Sequence, residues 1–302
     1  MKKLMAFNLF FTAIILLLFG TSHATDGVWV DKQKQINRSI TLKNNQQVSI
    51  TNSFGKVNVN NWSRNEVKVE ITIKVSAVND KLAQELLDRI QIIENIGAAI
   101  SFETKTGAVK NVSKQSKMEI DYVVTLPSQT PLYVKNSFGD TFIPDRKGAT
   151  EILQSFGGLK AGNLYRDAVI KVEFGKLIAD GIDGSKIKSS YSEVDVKKLS
   201  GDLKASFEFC AKLQLGLTNN LDALVINASY SDLTLIVPRN FNGDFTVNTS
   251  FGKAQGGTYV ALNDATREKK YGPTFDRLYT GRAGNGKSMV VVNSSFGNVR
   301  FE

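Results

Sequence analysis

Side chains able to do acid–base or covalent chemistry are scarce in this 302-residue sequence. Its one histidine, His23, falls inside an amino-terminal segment that reads as a cleavable export signal. No imidazole is then left for a catalytic triad, a proton shuttle or a histidine-ligated metal. The one cysteine, Cys210, cannot close an internal disulfide, and its apolar setting in Phe207-Glu208-Phe209-Cys210-Ala211 predicts a buried, inert thiol. Carboxylates stand close together as Asp180 with Asp183 and as Glu193 with Asp195, a composition that glycosidic cleavage or calcium binding could use. No calcium-loop spacing is present, however, and Asp-Gly at a turn is explained by turn geometry. The string Gly281-Arg282-Ala283-Gly284-Asn285-Gly286-Lys287-Ser288 fits a phosphate loop in full. A phosphate loop must open a helix, whereas Met289-Val290-Val291-Val292-Asn293 reads as a strand. The expectation is therefore no catalytic residue, no cofactor and no metal. A polysaccharide lyase or hydrolase, using carboxylates and lysines on acidic glycans along one face, is the alternative.

The signal itself consists of Lys2 and Lys3, an apolar run from Phe7 to Gly20, and the small-x-small site Ser22-His23-Ala24. About 14 apolar residues fall short of the ~20 that span a bilayer. Cleavage after Ala24 is expected, with export to the periplasm, outer envelope or cell surface. No cysteine follows the apolar run, which leaves the lipoprotein route unsupported, and no later segment is long and apolar enough for a transmembrane span. The formal charge of +9 falls by the signal's two lysines. Moderate basicity on an exported chain points to an envelope or extracellular glycan, a lipid headgroup or a protein partner, and not to nucleic acid.

What must position any site is a repeat. Ser-Phe-Gly recurs at Ser53-Phe54-Gly55, Ser137-Phe138-Gly139, Ser155-Phe156-Gly157, Ser250-Phe251-Gly252 and Ser295-Phe296-Gly297, with weaker copies around Phe174, Tyr191, Phe209 and Tyr230. Successive aromatics lie 84, 18, 18, 17, 18, 21, 21 and 45 residues apart. Four residues before each aromatic stand Ile50, Val134, Ile152, Ile170, Ile187, Ala205, Ile226, Val247 and Val292, β-branched in every copy but one. Even spacing places each aromatic on the strand face of these β-branched residues. After the glycine the apolar positions move to odd offsets, as in Val57 and Val59 or Leu177 and Ala179. Such a reversal is what a corner does, and glycine is the residue expected to supply the unusual dihedrals. Each unit is then strand, corner, strand and turn, one coil of a parallel β-solenoid with coils about 4.8 Å apart and the aromatics piled in a ladder. A sandwich or barrel of hairpins is the competing geometry, but hairpins alternate direction and give no reason to keep one corner sequence.

The two long gaps read as insertions into a single domain spanning 25–302. The first, about 60–132, predicts a strand over Glu66–Val75, a helix capped by Asn79 with Leu82, Leu86 and Ile90 on one stripe, and strands at Ala98–Lys105 and Met118–Leu126. Its helix is expected to cover the amino-terminal edge of the stack. The second, about 255–287, is a basic loop whose Arg267, Lys269, Lys270, Arg277 and Arg282 are the candidate contacts for an anionic ligand.

The signal segment, the early Asn52-Ser53-Phe54-Gly55-Lys56-Val57 strand, the Gln84-Glu85-Leu86-Leu87-Asp88-Arg89-Ile90 helix and the recurring Ser-Phe/Tyr-Gly/Ser copies together resemble the bacterial "putative adhesin" families of unknown function, related to the head GIN autotransporter adhesins. The resemblance covers nearly all of the chain after the signal. It implies a parallel β-solenoid, export to the envelope and a non-enzymatic, adhesin-like role, and it carries no catalytic motif across. Phe209-Cys210 departs from the pattern by lacking the corner glycine, which questions the regularity of that coil.

Overall fold

The computed structural model describes residues 29–107, 116–165, 167–267 and 273–302. The export segment and Lys269 and Lys270 lie outside the described residues. Within them the chain forms 22 strands and one helix, joined in one large, mostly parallel sheet arrangement.

Two columns of strands meet along a shared corner. Ahead of it stack β2 (Val48–Ser53), β8 (Leu132–Ser137), β10 (Thr150–Ser155), β12 (Ala168–Glu173) and the carboxyl halves of β13 (Lys176–Ser190), β14 (Glu193–Glu208) and β15 (Lys212–Ser229). Beyond it stack β3 (Val57–Asn61), β9 (Thr141–Ile143), β11 (Gly158–Leu164), the amino halves of β13 to β15, and β16 (Leu233–Ile236). All these pairings are parallel and keep the repeat in register, Ile152 opposite both Val134 and Ile170. The residue four places before each aromatic, β-branched except at Ala205, is buried in every copy, as are Val57, Leu177, Val194 and Leu233 on the far side.

Chain order breaks at the carboxyl end. The last two strands, β21 (Ser288–Ser295) and β22 (Val299–Phe301), slot between earlier neighbours: β21 lies between β15 and β17 (Gly243–Ser250), and β22 between β16 and β18 (Ala254–Gln255). The rung of Phe296 therefore sits inside that of Phe251, although the sequence places it last. The second insertion is more than a loop. It contributes β19 (Ala261–Asp264) and β20 (Asp276–Ala283), and β20 pairs antiparallel along the outer edge of β17, where continued parallel stacking would have left an open ladder.

At the amino end, β4 (Glu66–Ala77) runs between β1 (Val30–Thr41) and β7 (Ser116–Leu126) in an antiparallel sheet, and β7 continues into the parallel stack beside β3. The helix α1 (Asp80–Arg89) starts on the Asn79 side chain, which accepts the Leu82 N–H at 2.9 Å, and buries Ala83, Leu86 and Leu87. It packs on β1 and β4. A strand that the sequence pattern did not predict, β5 (Gln91–Ile96), pairs antiparallel with β6 (Ile100–Lys105). Its solvent-facing sequence, Gln-Ile-Ile-Glu-Asn-Ile, lacks a clean alternation because little of it is buried.

Candidate functional site

The corner positions hold the decisive feature. All nine repeat aromatics have positive φ, from 50° at Tyr230 to 65° at Phe54. This left-handed conformation costs a non-glycine residue roughly 1 kcal/mol or more, and it swings each ring out of the strand face that its spacing implies. The rings are consequently between 37% and 55% exposed. This corrects the expectation that they share the inner face with the β-branched residues. The glycine that follows is needed for a different reason from the one the sequence suggests. A Cβ at Gly139, Gly157 or Gly175 would come within 2.2 Å of the glycine carbonyl oxygen one rung below, so the site demands closeness and not special dihedrals. In the central coils Ser192, Cys210 and Ser231 take this position with their side chains turned inward and buried. The Ser231 hydroxyl accepts the Cys210 N–H at 2.8 Å and donates to the Ser229 carbonyl at 2.9 Å. The corner at Phe209 thus keeps the pattern despite its missing glycine, while further along the coil β15 slips register against β14 between Val196 and Asp202; Cys210 is buried as expected.

Behind the corner a buried polar column supports it. Asn136 Nδ2 donates to the Gly55 and Gly139 carbonyls, Gln154 Nε2 to Gly139 at 2.6 Å, and the Thr141 hydroxyl to Gln154 Oε1. Backbone bonds run rung to rung at the rings themselves, such as Phe156 N–H to the Glu173 carbonyl at 3.0 Å. These contacts hold each aromatic in its strained backbone conformation.

The outcome is a continuous column of stacked rings in the order Phe54, Phe138, Phe156, Phe174, Tyr191, Phe209, Tyr230, Phe296, Phe251. Centroids are 4.7–5.3 Å apart and planes lie within 10° of parallel. Phe275, from the second insertion, adds a tenth ring over Phe251 at 4.7 Å. At one strand spacing per ring the column is on the order of 40 Å long. Each inner ring has both faces covered by its neighbours, so the column offers a ribbon of ring edges. At its amino end an open groove of about 930 Å³ lies between Phe54 and Phe138 and the ends of β1, β4 and β7, with Lys56, Lys74, Lys117 and Met118 in its walls.

The charged candidates are dispersed. Arg277 bonds Asp264 at 2.9 Å, and Arg282 grips Asp244 through two nitrogens. The Arg282 guanidinium holds the Asp244 carboxyl below the usual carboxylate range. Five residues apart on one strand, Arg277 and Arg282 project to opposite faces, while Arg267 is exposed. Asp180 pairs with Lys197 at 2.7 Å, Asp183 accepts from Ser200, and Glu193 pairs with Lys176. The phosphate-loop string forms strand, turn and strand, with positive φ at Gly284 and Gly286 and no helix. Among the described residues no helix is long and apolar enough to cross a membrane.

No protein-family model and no curated protein matches this sequence. Some solved structures show a partial likeness. A protein described as a "putative adhesin" from Bacteroides fragilis matches with a TM-score of 0.44 and 10% identity, over 89% of this chain and 97% of its own. A "putative lipid binding protein" from Parabacteroides distasonis matches at 0.37 and 10% identity, over 89% and 96%. A "putative cell adhesion protein" from Clostridium sporogenes matches at 0.23 and 12% identity, over 89% and 99%.

Proposed function

We propose that this chain is an exported, non-enzymatic interaction module of the cell envelope, an adhesin-like β-solenoid whose contact surface is the aromatic column. The winding is supported by the parallel register, which returns Ile152 to Ile170 and Val134. One observation carries the functional reading: ten stacked aromatic rings stand exposed in a single line. A soluble monomer seldom shows a continuous apolar surface of this extent without a partner for it. The left-handed backbone costs energy at each corner and the rings are only half removed from water, so stacking on the neighbouring rings has to offset that cost. The rings are kept outward against a local cost. The basic insertion is the weaker contact surface because Arg277 and Arg282 are each committed to a carboxylate of the chain.

The test is sedimentation of the purified chain with isolated bacterial envelopes. The triple substitution Phe156→Ser, Phe174→Ser and Tyr191→Ser should reduce binding at least tenfold while a cooperative thermal transition persists. Retention equal to that of the native chain would refute the column as contact surface. Mass spectrometry of the exported chain should find Thr25 as its first residue.

A further inference from the structure

The face beside the column identifies its partner. On the strands ahead of the corner, Lys135, Lys186, Lys188 and Lys204 are exposed and have no carboxylate partner among the described residues. Strand register sets Lys186 opposite Lys204 and Lys188 opposite Lys171, about 4.8 Å between backbones. Like charges placed directly opposite destabilise a sheet, so this arrangement has no folding rationale. Lys171 is bridged to Glu173, leaving Glu151, Asp202 and Glu208 against the four unpartnered lysines on this face, a net of one positive charge, with Lys186 and Lys188 together at its middle. Lys186 and Lys188 lie five and three residues before Tyr191 on the outward face of the strand that leads into it, so this charge adjoins the middle of the column.

We infer that the aromatic column and this lysine face together dock onto an anionic lipid surface, with ring edges entering the boundary between headgroups and acyl chains and lysines meeting the headgroup charge. The inference rests on the column being the contact surface. Three features favour lipid. A continuous rib of apolar ring edges suits a fluid boundary that needs no matching shape. Aromatic side chains are favoured at that depth and lysines at the headgroup level. A glycan would stack on ring faces, and here the faces are occupied by neighbouring rings.

The experiment is co-sedimentation of the full chain with vesicles of phosphatidylcholine alone and of phosphatidylcholine mixed with phosphatidylglycerol. Binding should be strong only with the anionic mixture and should weaken with added salt. Each lysine near such a surface contributes about fivefold in affinity, so Lys186→Ser, Lys188→Ser and Lys204→Ser together should cost at least tenfold. Phe156→Ser with Phe174→Ser should cost at least as much. Phe174→Trp, which keeps a stacked ring, should shift its fluorescence to the blue on anionic vesicles. Unchanged binding after lysine replacement, no blue shift, or a dimer that hides the column would each overturn the inference. So would binding to polygalacturonate or peptidoglycan in place of vesicles. Column-dependent binding to whole envelopes without vesicle binding would remove the lipid and leave the interaction module standing.

Discussion

At the residue scale, the aromatic and the glycine, in the corners that have one, exchange the roles that their chemistry suggests. Phe156 takes the left-handed conformation, and Gly157 fits because the carbonyl of Gly139 leaves no room for a Cβ. Phe156→Gly relieves backbone strain while losing a half-exposed ring, and should cost no more than about 2 kcal/mol. Ile152→Ala, in the buried row, should cost about 3 kcal/mol, and Gly157→Ala about 2–3 kcal/mol through overpacking against backbone. Denaturant titrations order the three, and a Phe156→Gly penalty above that of Ile152→Ala would mean that the column is core. A second residue-scale prediction concerns Tyr122, whose hydroxyl lies 2.8 Å from Thr104 while Thr104 donates to Asn52. Burial pushes its phenol up to about 12. A folded-state value above the unfolded one of 10 adds stability below pH 10 that is lost as pH rises through 12. The native chain should therefore lose about 2–3 kcal/mol relative to Tyr122→Phe across that window, measured as the change in denaturation midpoints between pH 9 and pH 12. The repeat of aromatic types was legible in the sequence. Their outward direction was not, because spacing assigns a face only while the strand remains extended, and one residue at positive φ cancels the count.

At the element scale, β4, β6, β7 and the helix of the first insertion follow from alternation and from the Asn79 cap, and β5 does not. Asn79→Ala should lower stability by about 1 kcal/mol in thermal melts. What periodicity missed was pairing between distant segments. The hydrogen-bonding edge of β17 is closed by β20, whose residues Asp276–Ala283 alternate weakly and read as basic loop. Replacing residues 256–286 with a flexible glycine-serine linker removes that cover. The exposed edge should then recruit other chains, so the apparent mass in light scattering should rise with concentration. A monodisperse monomer at all concentrations would show that β20 does not protect the edge.

At the scale of the whole molecule, stability is distributed over near-identical rungs, each leaning on its two neighbours. Deleting residues 156–173 joins Ser155 to Phe174 and removes one 18-residue repeat, while the rows that paired with it can pair with each other. The shortened chain should still fold and melt cooperatively at a modestly lower temperature, with far-ultraviolet circular dichroism of unchanged shape. Loss of the β signature would show that the rungs are not interchangeable. The carboxyl end is the exception to this modularity, since β21 and β22 are held between strands that precede them in the chain.

The sequence by itself determined the repeat, its parallel register and the buried β-branched row, because each depends on local alternation and on identical units meeting identical units. It also carried the scarcity of catalytic side chains. Only the tertiary structure decided that the rings stand outside, that the last rung is threaded inward, and that like-charged lysines gather beside the column. Those outcomes depend on a backbone dihedral and on contacts between rungs far apart in the chain, neither of which leaves a periodic trace.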